Sequence, residues 1–367
     1  MIEYVEARNA QFEVIGILDT AQSVIWHSVY YGVGDFQLYI SLKDVIQIVA
    51  DARYITRPDN DEVGVIESIL IADDIESGKM ITIKGRFAKS LLDRRIIFNL
   101  SGTSNKATIL QGNVETNVRS LVNANAIASR SLGVLELGAV AGIGKTIVDE
   151  NGAAAQKQVS FENLLDYTEA VLKEYGIASK VKLSGNKLQY IVYEGADRSA
   201  DNTDGNQPIV FSKEFDNLVS SEYTYNSTQE KNVALIGGEG EGIERFCVLL
   251  GSQNGIKRKE VFVDASSIKK TYKDENDGEQ TYTDADYTTL LKSHGHQEMN
   301  DLKVIEDFNG TIDITNGNWK YNEDVFLGDI VTVQDNDIGV FKNVRLAEVT
   351  EYQDGDGYAV EAVYQGE

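Results

Sequence analysis

Three residue types that usually carry structure or chemistry are almost missing from this 367-residue chain, which has one cysteine, two prolines and three histidines. A single cysteine excludes an intrachain disulfide and any zinc site built on cysteines. Cys247 stands in the apolar run Phe246-Cys247-Val248-Leu249-Leu250, where a buried small hydrophobe is expected rather than a nucleophile. With only Pro58 and Pro208, far below the usual ~5%, turns must come from Gly, Asn and Asp, which suits tight β-hairpins. His27, His294 and His296 are too few for much acid–base chemistry. His294-Gly295-His296 with Glu298 offers metal-ligand types, but Gly295 reads as a helix stop. A solvated helix end is expected there, with no metal and no other cofactor. No stretch approaches the ~20 continuous apolar residues of a membrane span, so direct membrane insertion is not expected. The opening MIEYVEARNAQFEVIG is acidic, with no basic region ahead of a long apolar run, so no secretory leader is expected.

Positive charge is also scarce. Lys plus Arg number 34 against 58 Asp plus Glu, a formal net charge of −24. A field of that sign repels phosphate backbones and argues against sequence-independent nucleic-acid binding. It is compatible with an acidic channel wall past which DNA slides without sticking.

What remains is a typical globular composition, 42% hydrophobic and 25% charged, long enough for two or three domains. The first hundred residues read as strands. Phe36–Ile40 and Met80–Lys84 alternate in period two, Val63–Ile71 is rich in β-branched residues, and Glu76-Ser77-Gly78-Lys79 supplies a hairpin turn. Leu91–Phe98 fits a strand or a short helix. The middle is mixed. Helical spacing runs from Ala107 to Val122. A second helix is expected over 160–176, with Ser160 as cap and Gly176 as stop, and a third from Thr283, capped with Asp286 and ended by Gly295. Strands are expected at Leu188–Tyr193, Val233–Ile236, Arg245–Leu250 and Val261–Val263. The end returns to strands at Ile330–Val333 and Tyr358–Tyr364, with Asn309-Gly310, Asn316-Gly317 and Asp354-Gly355 as turn signals. The loop 197–206, DRSADNTDGN, marks a boundary.

The two β-rich ends share an internal repeat. Thr56-Arg-Pro-Asp59-Asn60-Asp61, followed after Glu62 by Val63-Gly64-Val65-Ile66, resembles Thr332-Val-Gln-Asp335-Asn336-Asp337-Ile338-Gly339-Val340-Phe341. Ile69, Ile71, Ala72, Asp73 and Glu76 then face Val344, Leu346, Ala347, Glu348 and Glu351. Similar acidic turns between apolar strands would look alike by chance. A duplicated barrel would also produce the match, with Asp59, Asn60 and Asp61 equivalent to Asp335, Asn336 and Asp337.

Catalytic motifs do not hold up. Gly142-Ile143-Gly144-Lys145-Thr146 lacks the earlier glycine of a P-loop, since Ala139 stands there, and a strand and turn are expected to follow instead of a helix. The Asp-rich segments at 201–205, 274–278 and 354–357 miss the calcium-loop spacing. No Gly-x-Ser-x-Gly elbow occurs, and nothing selects a carboxylate pair for glycoside cleavage.

A resemblance emerges from segments spread in order along the chain: Phe12–Asp19, Gly34–Ile40, Glu62–Glu67, Leu91–Ile97, Pro208–Leu218, Lys231–Gly242, Arg258–Ala265 and Leu327–Val333. Together they resemble the siphovirus tail-hub family of phages and prophages of Gram-positive bacteria. The resemblance implies a mainly β fold with an α+β insertion. Two related antiparallel β-barrels and a mixed α/β region are expected, similar to the baseplate hub of contractile phages. Expected boundaries are 1–105 for the first barrel, 106–205 and 236–303 for the α/β region, and 206–235 with 304–367 for the second barrel. It also implies a non-enzymatic homotrimer whose six barrels surround an axial channel at the virion tail tip, assembled in the host cytoplasm. The expected partners are a distal tail protein ring, the tape-measure protein and receptor-binding or fibre proteins, with DNA only in transit. Because the chain ends soon after its last expected strand, no appended wall-cleaving domain is expected. A tail-associated cell-wall hydrolase and a receptor- or carbohydrate-binding module are the alternatives.

Overall fold

The computed structural model describes residues 2–74, 78–101, 104–149, 151–273, 278–312 and 319–366. The principal elements of the first third are strands β1 (Glu6–Arg8), β2 (Val14–Ile17), β3 (Ser23–Val29), β4 (Asp35–Ser41), β5 (Tyr54–Arg57), β6 (Asn60–Val65), β7 (Ser68–Asp74) and β8 (Gly78–Arg86). A mixed region follows: β9 (Thr108–Gln111), α1 (Val114–Val122), β10 (Leu135–Leu137), β11 (Gln156–Val159), α2 (Leu164–Glu174), β12 (Ala178–Ser184) and β13 (Lys187–Tyr193). Strands β14 (Val210–Ser212) and β15 (Leu218–Asn226) precede a small unit of β16 (Val233–Gly237), β17 (Cys247–Leu250), β18 (Glu260–Asp264) and α3 (Asp284–Met299). The chain closes with β19 (Ile305–Ile312), β20 (Ile330–Asp335), β21 (Val340–Asp354) and β22 (Gly357–Gly366).

Period-two alternation places Phe36, Leu38 and Ile40 of β4 on a buried face, opposite Ile81 and Ile83 of β8. The helices start later than their apolar spacing suggests. Residues 108–111 pair with β11 as a strand, and α1 begins only after Asn113, whose side chain accepts a hydrogen bond from the Thr116 amide at 2.9 Å. Four apolar-spaced residues do not distinguish helix from strand, and the cap decides. Asn163, not Ser160, caps α2 by accepting from the Leu165 and Asp166 amides. Gly176, at φ +70°, stops it as expected. Thr283 caps α3 through the Asp286 amide, but the helix runs through Gly295 to Met299. A Cβ on Gly295 would lie 2.3 Å from Ile236 Cδ1, so this glycine serves close packing of α3 on β16. Residues 88–94 form a 3-10 turn, and Asn309-Gly310 lies inside β19, paired with Glu222 and Ser221 of β15. The β-rich stretch 63–71 is two strands in different sheets. Glu76-Ser77, Asp274–Asp277 and Asn316-Gly317 lie outside the described residues.

Two sheets dominate. A seven-stranded sheet runs β10-β13-β12-β6-β5-β1-β2, and a ten-stranded sheet has the spine β15-β19-β22-β21-β3-β4-β8-β7, with β20 beside β21 and β14 beside β20. The spine joins four strands from the C-terminal part to four from the N-terminal part. Their seam is the antiparallel pair β21–β3, from Glu348 opposite Val29 to Gln353 opposite Val24. Strand β21 changes partner along its length, pairing with β20 before a bulge at Ala347 and with β3 after it. The bulge is held by Tyr30, whose amide donates to the Ala347 carbonyl at 2.7 Å. The Tyr30 hydroxyl donates to the Gly176 carbonyl and accepts from the Gly195 amide. Its ring packs where a Cβ on Gly328 (φ +94°) would sit 2.2 Å away, so only glycine fits there.

Four cores result: one around β3, β4 and β8, one around β20–β22, one inside the α1/α2 insertion, and one between α3 and the three-stranded sheet β17-β16-β18. The two large sheets are tied by charge. Arg57, 3% exposed at the end of β5, donates to both carboxylate oxygens of Glu351 on β21 at 2.8 and 2.9 Å. It also grips Asp59 at 2.6 and 3.0 Å and stacks over Trp26, 5.2 Å from the ring centre. Tyr358 donates to the same Glu351 at 2.7 Å. Breaking one side of such a pair strands a buried charge at a cost of about 3–5 kcal/mol. Glu351→Gln, however, leaves Arg57 with Asp59 alone and is expected to lower unfolding stability by about 1–3 kcal/mol in urea titrations. The double change Arg57→Met with Glu351→Leu should recover a large part of the loss; a near-zero effect of Glu351→Gln would show that the pair does not join the sheets.

Candidate functional site

The six acidic-turn residues occupy two separate hairpins. Asp59, Asn60 and Asp61 sit where β5 turns into β6, and Asp335, Asn336 and Asp337 sit where β20 turns into β21. The registers differ: Thr56 faces Val63, whereas the matching Thr332 faces Asn343. Asp59 is held by Arg57, Asn60 accepts from the Glu62 amide, and Asp61 accepts from Lys180 at 3.1 Å. Burial opposes ionisation of Asp59, but the Arg57 hydrogen bonds and charge outweigh it and hold its pKa below the usual carboxylate range. Asp335 is buried. It accepts from Ser221 at 2.6 Å, lies 3.2 Å from Lys213 and caps the amides of Asp337 and Ile338. The Ser221 hydrogen bond leads the interactions that lower its pKa. Asn336 donates to Glu214 at 2.7 Å. The first turn opens on a cavity of about 580 Å³ whose wall includes Glu62, Lys180, Tyr193 and Asp329; burial raises the Glu62 carboxyl to about 7. Among the described residues no group of three or more His, Cys, Asp or Glu is arranged to hold a metal.

The glycine-rich 142–146 segment is an anion-holding loop already filled from within. Glu115, buried in the first turn of α1, accepts from the backbone amides of Ala141, Gly142 and Ile143 at 2.7, 2.9 and 3.1 Å. One turn on, Arg119 donates to the carbonyls of Gly138 and Ala139 at 2.7 and 3.1 Å. Residues i and i+4 of one helix thus satisfy the loop's donors and its acceptors. Lys145 points to Glu194 at 3.3 Å. Sequence spacing revealed the loop but not the carboxylate that occupies it.

Two histidines have opposite surroundings. His27 lies on the β3 seam, 3.0 Å from Glu348 and 3.3 Å from Asp35, and the Glu348 hydrogen bond leads the causes that raise its pKa. His294 is carried on α3 and is lowered to about 4, first by burial and then by the charge of Lys157. The continuous helix through Gly295 separates it from the half-turn position of His296. Cys247 is exposed. Alternation turns Cys247 and Leu249 outward and Val248 and Leu250 toward α3, so the expectation of a buried thiol is corrected: the apolar run is a strand covered on one face.

The spine of the large sheet ends at β15 on one side and β7 on the other. Ile69, Leu70 and Ile71 on β7 and Val219 and Tyr225 on β15 are exposed. Exposed apolar side chains on the outermost strands of a sheet form a surface on which further chain can pair.

Three outcomes follow from these environments. Glu115→Ala should cost about 1–3 kcal/mol by removing three hydrogen bonds to a carboxylate, one of them from the buried Ile143 amide, and calorimetry with ATP or GTP and magnesium should show no heat above dilution for the parent protein. A micromolar nucleotide site abolished by Lys145→Ala would contradict this. For His27, a raised folded pKa means stabilisation fully present below the unfolded value near 6.5 and lost as pH rises through the folded value. His27→Gln should therefore destabilise more at pH 5.5 than at pH 8.5. For His294 the sign reverses: its lowered folded pKa makes stability fall as pH drops from 6.5 toward 4, and His294→Gln should remove that acid-side loss in pH-dependent melts.

The fold recurs in solved tail proteins. At 12% identity, the chain is similar to the tail protein from Neisseria meningitidis MC58 (TM-score 0.58, covering 99% of this chain and 96% of that one). It is similar at the same identity to the 43 kDa tail protein of prophage MuSo2 from Shewanella oneidensis (TM-score 0.52, 99% and 96%) and to prophage tail protein gp18 from Listeria monocytogenes EGD-e (TM-score 0.50, 99% and 94%). No curated protein matches the chain significantly. The family model of the siphovirus ReqiPepy6 Gp37-like proteins matches residues 4–364, nearly the whole sequence, and the mainly β fold with its α/β insertion agrees with the tail-protein architecture that the ordered segments implied. The chain belongs to the siphovirus ReqiPepy6 Gp37-like family.

Proposed function

We propose that the protein is a structural hub subunit of a phage tail tip, working as a homotrimeric ring around the DNA exit channel. The observation that carries this reading is the eight-stranded spine, in which four N-terminal strands join four from residues 218–366 and the outermost strands among the described residues, β7 and β15, carry exposed apolar side chains. If β7 of one subunit pairs with β15 of the next, the interface is heterologous and three copies close a ring of six four-stranded units. Such a ring matches a six-fold tail above it, through a distal tail protein, with the tape-measure protein inside and receptor-binding or fibre proteins beyond. In this reading residues 1–105 and 304–367, with strands from 206–235, build the two halves of the ring, and 106–205 with 236–303 form the α/β insertion. The charge of −24 suits a passage for DNA in transit, and it weakens the free ring by self-repulsion. The protein is then found in the virion tail tip and, during assembly, in the host cytoplasm. In this reading the role is non-enzymatic, and the occupation of the 141–143 amides by Glu115 supports it against nucleotide binding at that loop.

Native mass spectrometry should find monomer or weak trimer in dilute solution, with trimer favoured by salt, and cryo-EM of assembled tails should find three copies. Leu70→Lys with Val219→Lys should reduce trimer at least tenfold while leaving the fold intact by circular dichroism. A stable dimer, or two or six copies per tail, would refute the ring. Clearing of purified cell walls by the isolated protein would favour a hydrolase, and retention on cell-wall glycans a receptor-binding module.

A further inference from the structure

Acidic residues outnumber basic ones 58 to 34, yet three arginines meet without a carboxylate to pair with. Arg94, Arg95 and Arg130 line a cavity of about 400 Å³ together with Asp93 and Ile96. The one carboxylate on that wall is engaged elsewhere: Asp93 accepts from Arg86 at 3.2 Å and from Asn163 at 3.0 Å. Arg95 donates instead to neutral carbonyls, those of Arg130 at 2.8 Å and Arg94 at 2.9 Å. Arg130 donates to the Ile96 carbonyl at 2.9 Å and to Asn125 Oδ1 at 2.5 Å, and its guanidinium stacks 3.7 Å from the Phe98 ring centre. Among the described residues, no ion pair of Arg94, Arg95 or Arg130 is found.

This arrangement runs against the ordinary economics of charge. Each guanidinium has five donors, and here carbonyls and an aromatic face hold two of them rigidly while several donors stay unshared. Burial and the like charge of Arg95 both act to lower the pKa of Arg130. The Arg130 backbone is in the left-handed region, φ +52°, a conformation that costs energy for a branched or long side chain and clusters at binding sites. Ile96, 47% exposed, adds an apolar wall. A rigid guanidinium cluster beside an apolar patch has the donor geometry for a planar or tetrahedral oxyanion.

We propose that this pocket, built from the turn after the 3-10 segment 88–94 and the residues following α1, binds an oxyanion group, a carboxylate or phosphate on a ligand whose apolar part rests on Ile96. The ligand's oxygens bridge the guanidiniums and supply the negative charge that the fold withholds from them.

The test is calorimetric titration of the full chain with sodium pyrophosphate and, separately, with trisodium citrate, at constant ionic strength set with NaCl. One-to-one binding tighter than ~1 mM is expected for at least one of them; pyrophosphate identifies a phosphate ligand and citrate a carboxylate. Affinity should fall at least tenfold in Arg94→Gln, a residue whose side chain makes no described hydrogen bond or ion pair in the fold, and further in Arg94→Gln with Arg95→Gln. Lys257→Gln, on another unit, should leave affinity unchanged. No binding of either anion, or equal binding by Arg94→Gln and the parent protein, would overturn the site.

Discussion

The bidentate contact between Arg57 and Glu351 is the constraint on which the arrangement of the two large sheets rests. Both groups lose water on folding, so each depends on the other for its solvation. Arg57 belongs to the hairpin β5–β6 and Glu351 to β21, the strand that joins the two halves of the spine. A hydrophobic contact of similar size would tolerate sliding; two parallel N–H···O bonds and a cation over Trp26 fix one register. Because Arg57 also holds Asp59, the first acidic turn is drawn onto the seam, and the cavity bounded by Glu62, Lys180 and Tyr193 opens beside it.

Strand β21 shows how one chain joins strands from its two halves into a single wide sheet. Its bulge at Ala347 lets fifteen residues serve three neighbours, β20 and β3 in succession and β22 from Val344 onward. The same bulge is anchored by Tyr30, which also reaches the turn after α2 at Gly176 and the loop after β13 at Gly195. The insertion is therefore coupled to the seam by hydrogen bonds instead of hanging from a linker. The outcome is a spine in which, among the described residues, β7 and β15 are the outermost strands.

Charge is treated differently in two places only a few turns apart. At the 138–146 loop, Glu115 takes the amides of Ala141, Gly142 and Ile143, and Arg119 takes the carbonyls of Gly138 and Ala139. At Arg95 and Arg130 carbonyl oxygens hold the guanidiniums, and among the described residues neither these two nor Arg94 forms an ion pair. Glycine-rich sequence points to the first and says nothing of the second. The distinction comes from whether a side chain distant in sequence reaches the loop.

Local alternation and capping residues determined much on their own. Phe36–Ile40, Met80–Lys84, Leu188–Tyr193 and Tyr358–Tyr364 are strands because their side chains alternate between core and surface, and Thr283 and Gly176 bound helices through backbone geometry that needs no distant partner. The order of β, mixed and β segments was legible for the same reason, and the ordered segments spread over the chain carried the family. Tertiary structure decided what local pattern leaves degenerate. Residues 108–111 became a strand because β11 was there to pair with them, and Gly295 stayed helical because Ile236 needed the space of a missing Cβ. Cys247 faces solvent because α3 covers only one side of its sheet. The two acidic turns, alike in sequence, close hairpins of different register in different sheets, since each register depends on the length and bulges of its own hairpin.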